Sequence, residues 1–281
     1  MVNADDISVR EVTNSRVDTA DVAAAGIPDF VADRYAGIRQ YSLGQIFGIW
    51  AVAALPMAVL AWVVAPRVAD HLSGPEPLGQ ALLICFPIGL LWILGLTFIL
   101  VKRERGSLRW PHVRDALWLR APQDPKTQRV GGKVWWWVLP FVLLSAAIDA
   151  LPIKPTGPMS RDFPKFIDTH RAEVFFKGAW GMFAMAVLVA FLSPIVEELF
   201  FRGLLLPRMR RACGRYYWVV NGVFFAGYHL HQPWSMPGAV LDGTFTQAYP
   251  AHRFRSIWIG LITHTAPSFL MVGIVLALVL K

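Results

Sequence analysis

LGQALLICFPIGLLWILGLTFILV, residues 78–101, runs for 24 residues without a charged side chain. A bilayer span needs roughly 20 apolar residues, so this stretch is long enough to cross a membrane. Outward from it the pattern recurs. GQIFGIWAVAALPMAVLAWVVAP (44–66) precedes it, and KVWWWVLPFVLLSAAIDALPI (133–153) follows, with three tryptophans suited to an interface belt. Residues 173–209 are longer than one span, and Ser193–Pro194 is expected to kink or break them. Residues 216–230 and 257–280 complete the clear set, while 235–250 are only moderately apolar and read as a short or re-entrant helix. The fold class is therefore all-α, a polytopic transmembrane bundle of about six to eight membrane helices.

Composition agrees. Hydrophobic residues make up 55% of the 281, charged residues 16%, and mean hydropathy is +0.45. Soluble domains carry about 25% charged residues to keep their surface hydrated. The net charge of +8 sits beside apolar runs, where lipid headgroups and the positive-inside rule account for it, so no nucleic-acid partner is expected. Residues 1–40 are polar and of mixed charge, and read as a cytoplasmic tail before a transmembrane domain over 41–281. Cys85 and Cys213 have neither metal spacing nor a disulfide framework.

The connections set the orientation. Residues 67–77 contain one basic residue, Arg67, whereas residues 102–133 contain nine Lys/Arg. That asymmetry puts 102–133 and the N-terminus in the cytoplasm, with Arg208, Arg210, Arg211 and Arg215 on the same side. The loop 154–171 falls outside despite its own basic residues. The reading is an integral protein of the plasma (inner) membrane.

Ionisable groups inside apolar helices cost at least roughly 2.5 kcal/mol each on insertion scales, so they mark where function is to be sought. SPIVEELFFRGLLLPRM (193–209) holds Glu197, Glu198 and Arg202. Glu198 and Arg202 are four apart and share a helix face, whereas Glu197 points about 100° away and has no partner in its own segment. FFAGYHL (224–230) places Phe225 one turn above His229, and GLITHTAPSFL (260–270) does the same for His264 and Ser268. His231 is expected on another side of its helix, at the interface, and His252 among headgroups.

Three helices converging on a cavity would gather one carboxylate and two imidazoles around a water molecule. The carboxylate can take the water's proton, one histidine can hold the water, and the other, with a hydroxyl nearby, can stabilise an oxyanion. Glu197, His229 and His264 equally suit a catalytic metal such as zinc. Both chemistries are hydrolytic, with a peptide bond the expected target.

The motifs EELFFR (197–202), FAGYH (225–229) and His264, in that order, resemble the CPBP family of intramembrane proteases, which includes the type II CAAX prenyl endopeptidases. The resemblance covers roughly residues 173–281. It implies that Glu197 is the general base, His229 its partner on water, and His264 with Ser268 the oxyanion side, with Glu198, Arg202 and Phe225 supporting. It leaves open a divalent metal or metal-independent catalysis. At Ser268 the sequence departs from the family's usual Asn or Asp. The substrates implied are membrane-associated peptides or proteins in the lipid bilayer, prenylated CAAX-type tails among them. The alternatives are a non-catalytic scaffold or immunity-type protein on the same fold, and a transporter with a Glu/His relay, for which inverted repeats are missing from the sequence.

Overall fold

A computed structural model describes residues 37–153 and 155–281; the expected tail lies, as far as residue 36, outside the described residues. Among the described residues five helices are long and apolar enough to cross a membrane: α1 Leu43–Ala69, α2 Pro77–Arg105, α4 Gly132–Asp149, α7 Trp180–Arg208 and α10 Trp258–Leu280. Between them lie the short helices α3 Trp110–Ala116, α5 Phe163–Ile167 and α6 His170–Phe176. Helix α8 (Tyr217–Tyr228) and the helical residues 236–254 (α9) are shorter and pack against one another as a hairpin. The chain is a helical membrane bundle, with α7 lying between α2 and α10.

Local chemistry explains most boundaries. Ser42 caps α1 in a capping box, its hydroxyl accepting from the Gln45 amide while the Gln45 side chain accepts from the Ser42 amide. Three basic residues, Lys102, Arg103 and Arg105, occupy the last turn of α2, where cations favour the helix dipole, and Gly106 ends it in the left-handed conformation. The break expected at Ser193–Pro194 falls elsewhere. Gly178, at φ +67°, separates α6 from α7, and α7 then runs through Pro194 without interruption. Eight residues, Glu198–Leu205, form a π-helical turn just beyond that proline, the kind of widened turn in which helices absorb local irregularity and which often marks function.

The bundle has two distinct ends. At one, Tyr41 N donates to Arg208 O, Gln123 N to Phe254 O, and the Ser256 hydroxyl to Arg120 O. Trp110, Trp136 and Trp137 are exposed toward that end, as an interface belt requires. At the other, Arg171 pairs with Glu76, Lys281 with Glu173, and Arg161 Nη1 donates to Ala61 O. His252, expected among headgroups, is half-buried and hydrogen-bonds through Nδ1 with the Tyr217 hydroxyl (2.5 Å), because the α8–α9 hairpin brings the start of α8 and the end of α9 together.

The first end is fastened by one buried ion pair. Arg208 Nε and Nη2 donate to the Glu104 carboxylate at 2.6–3.0 Å, and its Nη1 donates to the carbonyls of Leu204 and Ala116. The Tyr41 hydroxyl also donates to Glu104, and burial pushes that phenol well above its ordinary range, so it stays protonated. Truncating Arg208 strands a carboxylate whose side chain is only 7% exposed. Arg208→Ala is therefore expected to lose about 3–5 kcal/mol, read as a lowered unfolding temperature in detergent, whereas Lys126→Ala in the exposed loop leaves it unchanged.

Candidate active site

Glu197 and Glu198 are adjacent and both buried, and their surroundings differ. Glu198 Oε1 lies 3.2 Å from Arg202 Nη1 and 3.4 Å from His264 Nδ1, so a cation and an imidazole share its charge. Arg202, wholly buried, donates from Nη2 to Gly243 O (2.9 Å) and lays its guanidinium over the Phe225 ring, 4.1 Å from its centre. Among the described residues no Lys or Arg pairs with Glu197. Its Oε1 accepts from the Ser193 hydroxyl one turn earlier (2.7 Å), and its Oε2 stands 3.8 Å from His264 Nε2. That separation exceeds a direct hydrogen bond.

Phe225 is the hub of the aromatic contacts. It meets Phe201, His229 and His264 edge to face, with ring centres 5.3, 4.9 and 5.8 Å apart. His229 Nδ1 donates to the Phe225 carbonyl at 3.0 Å, which fixes the tautomer and leaves Nε2 as an acceptor. The helix tightens into a 3₁₀ turn after Tyr228, so His231 stacks on His229 (5.4 Å) and is buried. An interfacial position for His231 assumed that the α-helix continued; the tighter turn overturns it. Ser268 donates to Ala190 O (2.7 Å), tying α10 to α7.

Glu197, His229, His264 and Ser268 line one cavity of about 370 Å³. Its walls are mostly apolar, among them Leu82, Phe86, Phe166, Phe175 and Met271. The lining follows α7 from Ala186 to Glu197, roughly 16 Å at 1.5 Å per residue. Glu198, Arg202 and Phe225 stand behind this wall as its support. Among the described residues no three His, Cys, Asp or Glu side chains are grouped as a metal site requires. Glu197, His229 and His264 are thus not grouped for a metal as they are arranged, with His264 turned toward both carboxylates.

Sequence reading missed several contributors. Ser193 lies four residues before Glu197, a spacing that itself signals the contact. Asp242 accepts from the hydroxyls of Ser145 and Thr246 (both 2.7 Å) and from Gln247 Nε2 (2.9 Å). An Asp-x-x-x-Thr-Gln run inside a moderately apolar stretch was the available clue.

Comparison with known proteins places this geometry in context. Residues 179–270 match the family model described as type II CAAX prenyl endopeptidase Rce1-like. No curated protein and no solved structure matches the chain. The Rce1-like segment contains Glu197, His229, His264 and Ser268 together with their supports, and the family is one of proteases.

The close approach of α9 rests on Gly243. A Cβ there would lie 2.4 Å from a Phe225 ring carbon and 3.1 Å from Arg202 Nη2, whereas a Cβ at Gly273 meets nothing within 4 Å. Gly243→Ala is expected to destabilise by about 1–3 kcal/mol through overpacking. Gly273→Ala is expected to be neutral or slightly stabilising. Thermal unfolding of the two variants in detergent checks the contrast.

Proposed function

We propose that the chain is an intramembrane endopeptidase in which Glu197 is the general base. The observation that carries this reading is the unequal pairing of the two glutamates. Glu198 is neutralised by Arg202 and His264, while Glu197 keeps an oxygen directed at the cavity. The 3.8 Å gap between Glu197 and His264 is of the length that a water bridges.

In the proposed reaction Glu197 removes a proton from water as its oxygen attacks the scissile carbonyl carbon. His229 Nε2 accepts a hydrogen bond from the same water and orients it. The carbonyl oxygen becomes an oxyanion, stabilised by an N–H of His264 and by the Ser268 hydroxyl once it turns from Ala190 O. Collapse breaks the C–N bond, and the proton held by Glu197 passes to the leaving amine. No step runs through a metal, so cleavage by purified protein is expected to persist after treatment with a strong chelator. Loss of activity that added zinc restores would contradict that.

The substrates proposed are membrane-associated peptides, with prenylated CAAX-type tails as one class. A second reading, a non-catalytic scaffold, draws on one observation: the Ser268 proton is committed to Ala190 O. Peptide termini in membranes of cells carrying wild-type protein or Glu197→Gln separate the two. The protease reading expects specific termini to disappear in the variant, since loss of a general base costs typically 10²–10⁴-fold. Unchanged termini, with the protein folded and abundant, would favour the scaffold.

A further inference from the structure

The cavity wall holds a cation that the proposed reaction does not use. Among the described residues that line it, Arg161 is the one Lys or Arg. Two neighbouring residues of α1 fix its side chain. Nη1 donates to Ala61 O at 2.8 Å, and the guanidinium lies over the Trp62 ring, 4.1 Å from its centre. The same indole donates from Nε1 to Leu230 O at 2.9 Å, and Leu230 follows His229 in the chain. Arg161 thus stands one indole ring from the turn that carries His229. The loop before it is seated close by, since a Cβ at Gly157 would fall 2.4 Å from the Trp234 ring.

Held in this way, the guanidinium still lacks a counter-charge. It has five N–H donors, and among the described residues only Ala61 O takes a side-chain hydrogen bond from it. The lining's acidic residues apart from Glu197 are engaged elsewhere. Glu76 pairs with Arg171, and Asp162, buried, accepts from the Gly157 amide. Gln232, also in the lining, has a side-chain amide with no hydrogen bond among the described residues. An arginine oriented by a ring and a carbonyl, with donors to spare, suits a carboxylate, which it can grip through both oxygens.

We infer that Arg161 is a carboxylate subsite of the cavity: it binds a carboxylate of the peptide substrate, and the Gln232 amide supports the adjoining peptide group. A peptide offers that carboxylate at its free C-terminus or on an Asp or Glu side chain. One indole from the His229 turn, it lies a few extended residues from the scissile bond, at about 3.3 Å each. Arg161 would then select where along a chain the cut falls. The inference rests on the protease reading and names a residue that determines its substrates.

Binding to the full-length Glu197→Gln protein in detergent tests this without turnover. The probe is a fluorescent, prenylated tail peptide made with a free carboxyl end, with a C-terminal amide, and as an amide with Glu as its last residue. Fluorescence anisotropy is expected to show the free acid binding about ten- to a hundredfold more tightly than the plain amide. Adding Arg161→Gln is expected to abolish that difference and leave the amide's affinity unchanged, whereas a purely structural Arg161 would weaken every form alike. Where Arg161→Gln fails to accumulate, Arg161→Lys, which keeps the charge without the fork, is expected to narrow the difference. The Glu-ended amide separates the two sources: tight binding extends the subsite to side-chain carboxylates, and weak binding confines it to the chain end. Equal affinities for acid and amide, an acid preference unchanged by substitution at 161, or binding of no form overturns the subsite. Acid-selective binding without cleavage by the wild-type protein would remove the protease reading and keep the subsite. Cleavage that Glu197→Gln abolishes, without any acid preference, would do the reverse.

Discussion

The Glu198–Arg202 ion pair is the contact on which the rest of the site depends. Either charge alone, wholly buried in an apolar bundle, is unfavourable by several kcal/mol. Paired, they neutralise each other, and each also reaches outward to a neighbouring helix. Arg202 binds the Gly243 carbonyl of α9 and stacks on Phe225 of α8, while Glu198 meets His264 of α10. One pair on α7 therefore ties three further helices to it. The cavity between α7 and α10 keeps its shape because the wall behind it is fastened in this way.

The same pair gives adjacent carboxylates different chemistry. A site that needed one base would gain nothing from two equivalent glutamates in a low-dielectric setting, since like charges there repel strongly. Arg202 and His264 take up the charge of Glu198, and Ser193 holds Glu197 by a single hydroxyl. Both glutamates thus remain tolerable in the bundle, and one of them remains available to the cavity.

The spans were legible because length and apolarity suffice to define them; α2 and α10 sit within a few residues of the runs read from the sequence. The break before α7 was misplaced because proline is the louder signal. Pro194 costs one helical hydrogen bond, and the freed Ala190 carbonyl accepts from the Ser268 hydroxyl instead, whereas Gly178 adopts a backbone conformation that other residues resist. The i,i+4 logic put Glu198 with Arg202 and Phe225 with His229, both of which meet in space. It failed at His231, where the helix changes pitch. Which helices face which is a tertiary matter, so the Ser268–Ala190 and Ser145–Asp242 contacts had no reading from one segment alone.

Side-by-side unfolding of purified Glu198→Gln and Glu197→Gln tests this division of labour most directly. The account expects Glu198→Gln to leave Arg202 uncompensated and to lose about 3–5 kcal/mol, while Glu197→Gln unfolds close to wild type. Equal losses, or a larger loss for Glu197→Gln, would mean that Glu197 also holds the fold together and that the pair on α7 is not what frees it for chemistry.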